Sequence, residues 1–116
     1  MSDYTYDALV RDIHDGDTVI LDVDLGFKVW ISRMNVRLFG INAPELATPE
    51  GESAKAFLNS LLHIGDKVIL QSQKDHADKY GGRWLGIILQ GGHSVNDAMV
   101  GAGHAKPWDG KGTKPV

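Results

Sequence analysis

The chain predicts a mainly β, α+β domain, a small β-barrel carrying two helices. Three observations predict it. Five short runs rich in β-branched and aromatic residues are punctuated by turn residues, and two segments with helical apolar spacing begin at Ser or Thr caps. The length of 116 residues suffices for one core but not for a second.

Residues 18–23 and Val29-Trp30-Ile31 read as a hairpin across the turn signal Asp24-Leu25-Gly26. Residues 35–41 continue as strand, with Val36, Leu38 and Gly40 on one face and Arg37, Phe39 and Ile41 on the other. Thr48 then caps a helix whose first turn holds Pro49. Its stripe is Ala54, Phe57, Leu58, Leu61 and Leu62, and Gly65 ends the segment. Residues 67–71 and 84–89 supply two more strands. Ser94-Val95-Asn96-Asp97 resembles a capping box with Asp for Glu, and Val95, Ala98, Met99 and Ala102 follow as a second stripe closed by Gly103. Both stripes are core positions rather than cofactor contacts. From His104 onward the sequence is polar and Gly/Pro-rich, which predicts an extended, partly mobile tail. The order β-β-β-α-β-β-α suggests a partly open Greek-key barrel of the OB type. The expected division is a domain over residues 1–106 and a C-terminal tail over 107–116.

Composition narrows the function classes. Apolar residues make up 42%, an ordinary globular value. No apolar run approaches the ~20 residues of a membrane span, and the start shows no signal-peptide pattern. A cytoplasmic protein without membrane association is the expectation, and phage or mobile-element encoding is compatible with it. The absence of cysteine excludes disulfides and thiolate zinc sites. The five histidines show no paired i, i+4 spacing, and no P-loop, nucleophile elbow or GxGxxG fingerprint is present. Net charge is −3, unusual for a binder of polyanions. It is unevenly spread: residues 1–24 hold seven acids against one base, a net of −6, and residues 25–116 hold eight acids against eleven bases, a net of +3. A positive local field is therefore compatible with an acidic chain.

Three clusters carry chemistry. Asp15-Gly16-Asp17-Thr18 offers short carboxylates beside a bend, a donor type that suits a hard cation such as Ca²⁺. Taken alone, it is better read as an acidic turn leading into a hairpin. Arg37-Leu38-Phe39-Gly40-Ile41-Asn42-Ala43-Pro44-Glu45 changes the balance. It adds a loop carboxylate, Glu45, fixed by Pro44, and an arginine whose planar fork matches two phosphate oxygens. Asp78-Lys79-Tyr80-Gly81-Gly82-Arg83 adds a second arginine ahead of a strand.

In this order the clusters resemble the staphylococcal-nuclease-like family over roughly residues 11–106. That family carries an Asp-Gly-Asp-Thr turn, an Arg-(five residues)-acid/amide-x-Pro-Glu segment and a Lys-Tyr-Gly-(Gly)-Arg loop. The resemblance implies a five-stranded OB-type barrel and a site of named parts. Asp17, Asn42 and the Ala43 carbonyl would bind Ca²⁺ or another divalent cation, with Asp15 as a supporting carboxylate. Glu45 would act on the attacking water, and Arg37 and Arg83 would bind the scissile phosphate. Lys79 and Tyr80 would hold the neighbouring phosphate and nucleotide. Trp108 lies near where the family has aromatic residues lining the nucleotide site; it either stacks a base or packs on the barrel.

The sequence departs from the pattern in three places. Asn42 stands where the family usually has an aspartate, Gly81-Gly82 carries an extra glycine, and the chain ends at Val116 without the C-terminal helix of longer members. The leading expectation is a monomeric, metal-dependent, sequence-tolerant endonuclease. It would cut DNA and RNA, single-stranded or frayed by preference, to 3′-phosphate and 5′-hydroxyl ends. The alternative is a catalytically weak or silent nucleic-acid-binding domain of the same fold, which Asn42 and the acidic balance favour. A protein–protein adaptor is a third reading, disfavoured because the other charged groups of the pattern are kept.

Overall fold

The computed structural model describes residues 4–77 and 84–108. Its elements are β1 (Tyr4–Asp15), β2 (Thr18–Asp24), β3 (Trp30–Leu38), β4 (Ile41–Asn42), α1 (Pro49–Leu61), β5 (Lys67–Ala77), β6 (Trp84–Gln90), β7 (His93–Ser94), α2 (Val95–Gly101) and β8 (Lys106–Pro107). Strands run in the order β3-β2-β1-β5-β6-β7, and a parallel pairing of Val36–Leu38 with residues 84–86 joins β3 to β6. That pairing closes five strands into the expected barrel with two helices.

Five strands were expected and five form the barrel, but they are not the same five. The sequence reading omitted β1, because its apolar residues are interrupted by Asp7, Arg11 and Asp12. The strand nevertheless alternates: Ala8 and Val10 are buried while Asp7 faces out, and a register shift between Val10 and Asp12 returns Ile13 to the core. Conversely, the two runs read as separate strands around residues 29–41 are one strand, β3. An irregularity at Arg33, held at φ 53°, accompanies a register shift against β2 and absorbs the break in alternation.

The core is apolar and continuous. Val10, Val19, Leu21, Val36, Leu38, Leu70 and Ile88 come from the barrel, and Leu58, Leu62 and Met99 come from the helical side. Helix α1 begins where predicted, with Thr48 Oγ1 accepting from the Gly51 amide at 3.0 Å. It ends at Leu61, before Gly65. Helix α2 is capped by Ser94, whose side chain accepts from the Asp97 amide.

After Leu38 the face assignment made from sequence fails at one residue. Ile41 was placed with Arg37, away from Val36 and Leu38, yet Ile41 is buried in the core. Gly40 takes φ 82°, a conformation that breaks the strand and resets the alternation. The stretch expected to be a loose tail from His104 is docked as far as Trp108. Ala105 is buried, the His104 ring stacks on Phe57 with centroids 4.8 Å apart, and β8 pairs with β4. The Trp108 amide donates to the Gly40 carbonyl at 2.8 Å. Among the described residues no helix is long and apolar enough to cross a membrane.

Candidate functional site

The site forms where the β1–β2 turn meets the end of β3. Gly16 allows this approach: a Cβ there would lie 2.7 Å from the Ala54 Cβ and 2.9 Å from the Ala43 Cβ. With no side chain at Gly16, helix α1 and the Ala43 segment pack directly on the turn. Asp17 follows, its amide accepted by Asp15 Oδ1 at 3.1 Å and its carbonyl accepting from the Leu38 amide at 2.8 Å. These two bonds tie the turn to the preceding carboxylate and to the neighbouring strand.

Asp17 and Arg37 are both buried, at 7% exposure. Arg37 Nη2 lies 3.4 Å from Asp17 Oδ2 and donates to Asn42 Oδ1 at 3.1 Å. Its Nη1 donates to the Ile41 carbonyl at 3.2 Å and, at 3.5 Å, to that of Leu38. Asp17 Oδ2 also accepts from the Ala43 amide at 3.0 Å, and Asp17 Oδ1 accepts from Thr18 Oγ1 at 3.3 Å. The guanidinium thus links the turn to the Asn42 segment. Its Cζ sits 5.3 Å from the centre of the Trp108 ring, a cation–π distance.

Burial raises the Asp17 pKa from its ordinary value, and Asp15 adds to the rise; the Ala43 amide and Arg37 work in the opposite direction. The ion pair and the upward shift point different ways. The shift is the net result, because desolvation of a carboxylate this deeply enclosed exceeds what one arginine at 3.4 Å returns.

The structure therefore brings together five of the residues singled out from sequence: Asp17, Arg37, Asn42, Ala43 and Trp108, with Asp15 behind Asp17. Glu45 lies two residues beyond Ala43 on an exposed loop. Its carbonyl accepts from the Thr48 amide at 3.0 Å and from Thr48 Oγ1 at 2.7 Å, so the loop is anchored to the start of α1. Lys79, Tyr80 and Arg83 lie outside the described residues. Among the described residues no group of three or more His, Cys, Asp and Glu side chains converges. Of the oxygen donors expected from sequence, the structure brings together the Asp17 carboxylate and the Asn42 amide oxygen, with the Asp15 carboxylate behind Asp17. That set is of the right type for a hard cation, though poor in negative charge.

Sequence reasoning missed two residues. Thr18 bonds Asp17, a role its place in Asp-Gly-Asp-Thr hints at. Asn96, read only as part of a cap, is buried and holds the backbone of β6 and of the turn after β3: it donates to the Phe39 and Gly86 carbonyls and accepts from the Ile88 amide. An amide inside an otherwise apolar stripe was the available signal.

Comparison with known proteins identifies the family. The family described as "Staphylococcal nuclease homologue" matches residues 35–113. The chain is 30% identical over 112 residues to "Endonuclease YhcR" of Bacillus subtilis (strain 168), which covers 86% of this chain and 9% of that protein. It is 31% identical over 104 residues to "Thermonuclease" of Staphylococcus intermedius, covering 84% of this chain and 57% of that one. The chain thus spans little more than half of one relative and a small part of the other. With the barrel, the buried Asp17–Arg37 pair and a family match over most of its length, the chain belongs to the staphylococcal nuclease family.

Proposed function

We propose that this chain is a metal-dependent endonuclease that hydrolyses phosphodiester bonds of DNA and RNA, leaving 3′-phosphate and 5′-hydroxyl ends. The observation that supports the reading is the buried arginine: Arg37 is hydrogen-bonded beside Asp17 and Asn42 at the end of β3. A buried charge set of this kind costs stability unless it serves a purpose, which counts against a surface accident. The relatives named as nucleases support the same class of chemistry.

In this reading Asp17, Asn42 and the Ala43 carbonyl hold a divalent cation, Ca²⁺ by family resemblance, with Asp15 supporting Asp17. When bound, such a cation would supply Lewis-acid polarisation of the phosphate and would lower the pKa of a water. The protein's own groups do the rest. Glu45 takes the proton of the attacking water. Arg37 presents N–H donors to the phosphate oxygens and stabilises the charge that grows on them. Asp17 and Asn42 now accept from Arg37 Nη2, so a phosphate competes with them for that donor. Arg83 would bind the same phosphate, Lys79 and Tyr80 the adjoining nucleotide, and Trp108 the face of an unpaired base, which favours single-stranded or frayed substrate.

The test is cleavage of a fluorophore–quencher single-stranded DNA with Ca²⁺, with Mg²⁺ and with chelator, beside Glu45→Gln. Cation-dependent cutting that falls at least about a hundredfold in the variant supports the reading. Binding without cutting under every metal supports instead a silent nucleic-acid-binding domain, a reading that Asn42 in place of a carboxylate favours.

A further inference from the structure

The tip of the β2–β3 hairpin breaks two local rules at once. The Val29 amide donates to the Gly26 carbonyl at 2.9 Å across Phe27 and Lys28, and both central residues have positive φ, 55° and 62°. This is the pattern of a type I′ turn, which Asn-Gly or Gly-Gly fills without strain and which a bulky side chain fills at a cost. Phe27 is also wholly exposed, at 102%, and Leu25, Val29 and Trp30 beside it are exposed as well. Nothing within the chain's described contacts compensates for an aromatic ring held in water by a strained turn. Departures of this kind are expected at functional places.

Next to this knob lies an open groove. A cleft of about 380 Å³ opens between β1, the end of β2 and β5, with Tyr6, Leu25 and Ile69 as apolar lining and Asp7 and Asp24 among its walls. It is an open groove rather than an enclosed pocket, wide enough to take the face of a phenyl ring. Knob and groove adjoin at Leu25 and Gly26, so two copies can each offer Phe27 to the other's groove about one two-fold axis. The charges agree: Lys28, adjacent to the knob, would face the partner's Asp7 and Asp24. The same carboxylates, within a first 24 residues of net −6, repel a polynucleotide. We infer that this hairpin is a self-association surface, on which Phe27 of each chain inserts into the Tyr6–Leu25–Ile69 cleft of a second copy.

The surface is separate from the catalytic proposal. β2 runs seven residues from Thr18, beside the site, to Asp24, beside the cleft, roughly 20 Å of strand. The test is sedimentation or light-scattering mass over about a thousandfold range of protein concentration. A concentration-dependent monomer–dimer equilibrium is expected. Replacing the tip by Phe27→Asn with Lys28→Gly should weaken the dimer at least about 30-fold, while the monomer's melting temperature rises because the turn strain is relieved. Asp7→Lys and Lys28→Glu should each be monomeric alone, and an equimolar mixture should restore the dimer. A monomer mass at every concentration overturns the proposal. So does a dimer that the tip variant leaves intact, and so does an oligonucleotide affinity that depends on Phe27 in a protein that stays monomeric.

Discussion

At the scale of single residues the site is governed by burial. Asp17 has its ordinary value of 3.8 when unfolded and a raised one when folded. Between the two, the native chain still holds a proton that the unfolded chain has lost. Stability therefore falls as pH rises through that window, and the penalty is complete above the folded value. Asp17→Asn carries no such penalty, so its stability relative to the parent should increase from acid to neutral pH. Urea denaturation at stepped pH measures this, and parallel curves for the two proteins would show that Asp17 does not titrate with a raised pKa. Asn42 makes the complementary case. Its amide oxygen accepts from Arg37 but brings no charge. Asn42→Asp should tighten Ca²⁺ binding by roughly an order of magnitude, because affinity at oxygen sites follows ligand charge. Calorimetric titration reads it, and unchanged affinity would mean that residue 42 does not touch the ion.

At the scale of elements, the helix cap and the Glu45 loop are one structure. Thr48 Oγ1 accepts from the Gly51 amide and donates to the Glu45 carbonyl. Gly51 in turn lies so close under that carbonyl that a Cβ would collide with the Glu45 oxygen. Thr48→Ala should cost about 1 kcal/mol of stability and also loosen the Glu45 loop. Its loss of turnover should therefore exceed that of a variant equally destabilised elsewhere, such as Leu61→Val. Thr48→Ser, which keeps the hydroxyl, should restore both properties. Equal turnover in Thr48→Ala and parent would separate the cap from the site. Thr48-Pro49 was legible as a cap because a side-chain oxygen before a first-turn proline is a local signal. The bond from the same hydroxyl back to Glu45 was not, since it depends on where the loop goes.

At the scale of the whole molecule, Asn96 joins parts that are far apart in sequence. Its side chain bonds the backbone of Phe39, Gly86 and Ile88 and so fixes α2 against β6 and against the turn that follows β3. That turn carries Gly40, which receives the Trp108 amide, and leads to Asn42. Asn96→Ala leaves buried backbone groups without partners and should lower unfolding free energy by about 2 kcal/mol or more. Denaturant titration checks it. A change below about 0.5 kcal/mol would show that water replaces the amide without loss.

Only the family resemblance set Asp17 and Glu45 beside Arg37 and Asn42; the sequence by itself determined the class of fold, both helices with their caps, and the nearness of Arg37 to Asn42. Each rests on short-range chemistry: periodicity, a capping hydroxyl, or donors and acceptors close together along the chain. Tertiary structure alone decided the rest. β1 is a strand because its alternate residues meet a core that other strands provide, despite the charges between them. Ile41 turns inward because Gly40 resets the backbone, and residues 104–108 dock because β4 offers them a pairing edge. Trp108 reaches Arg37 only through that pairing, across 71 positions of sequence, which no local pattern could have foretold.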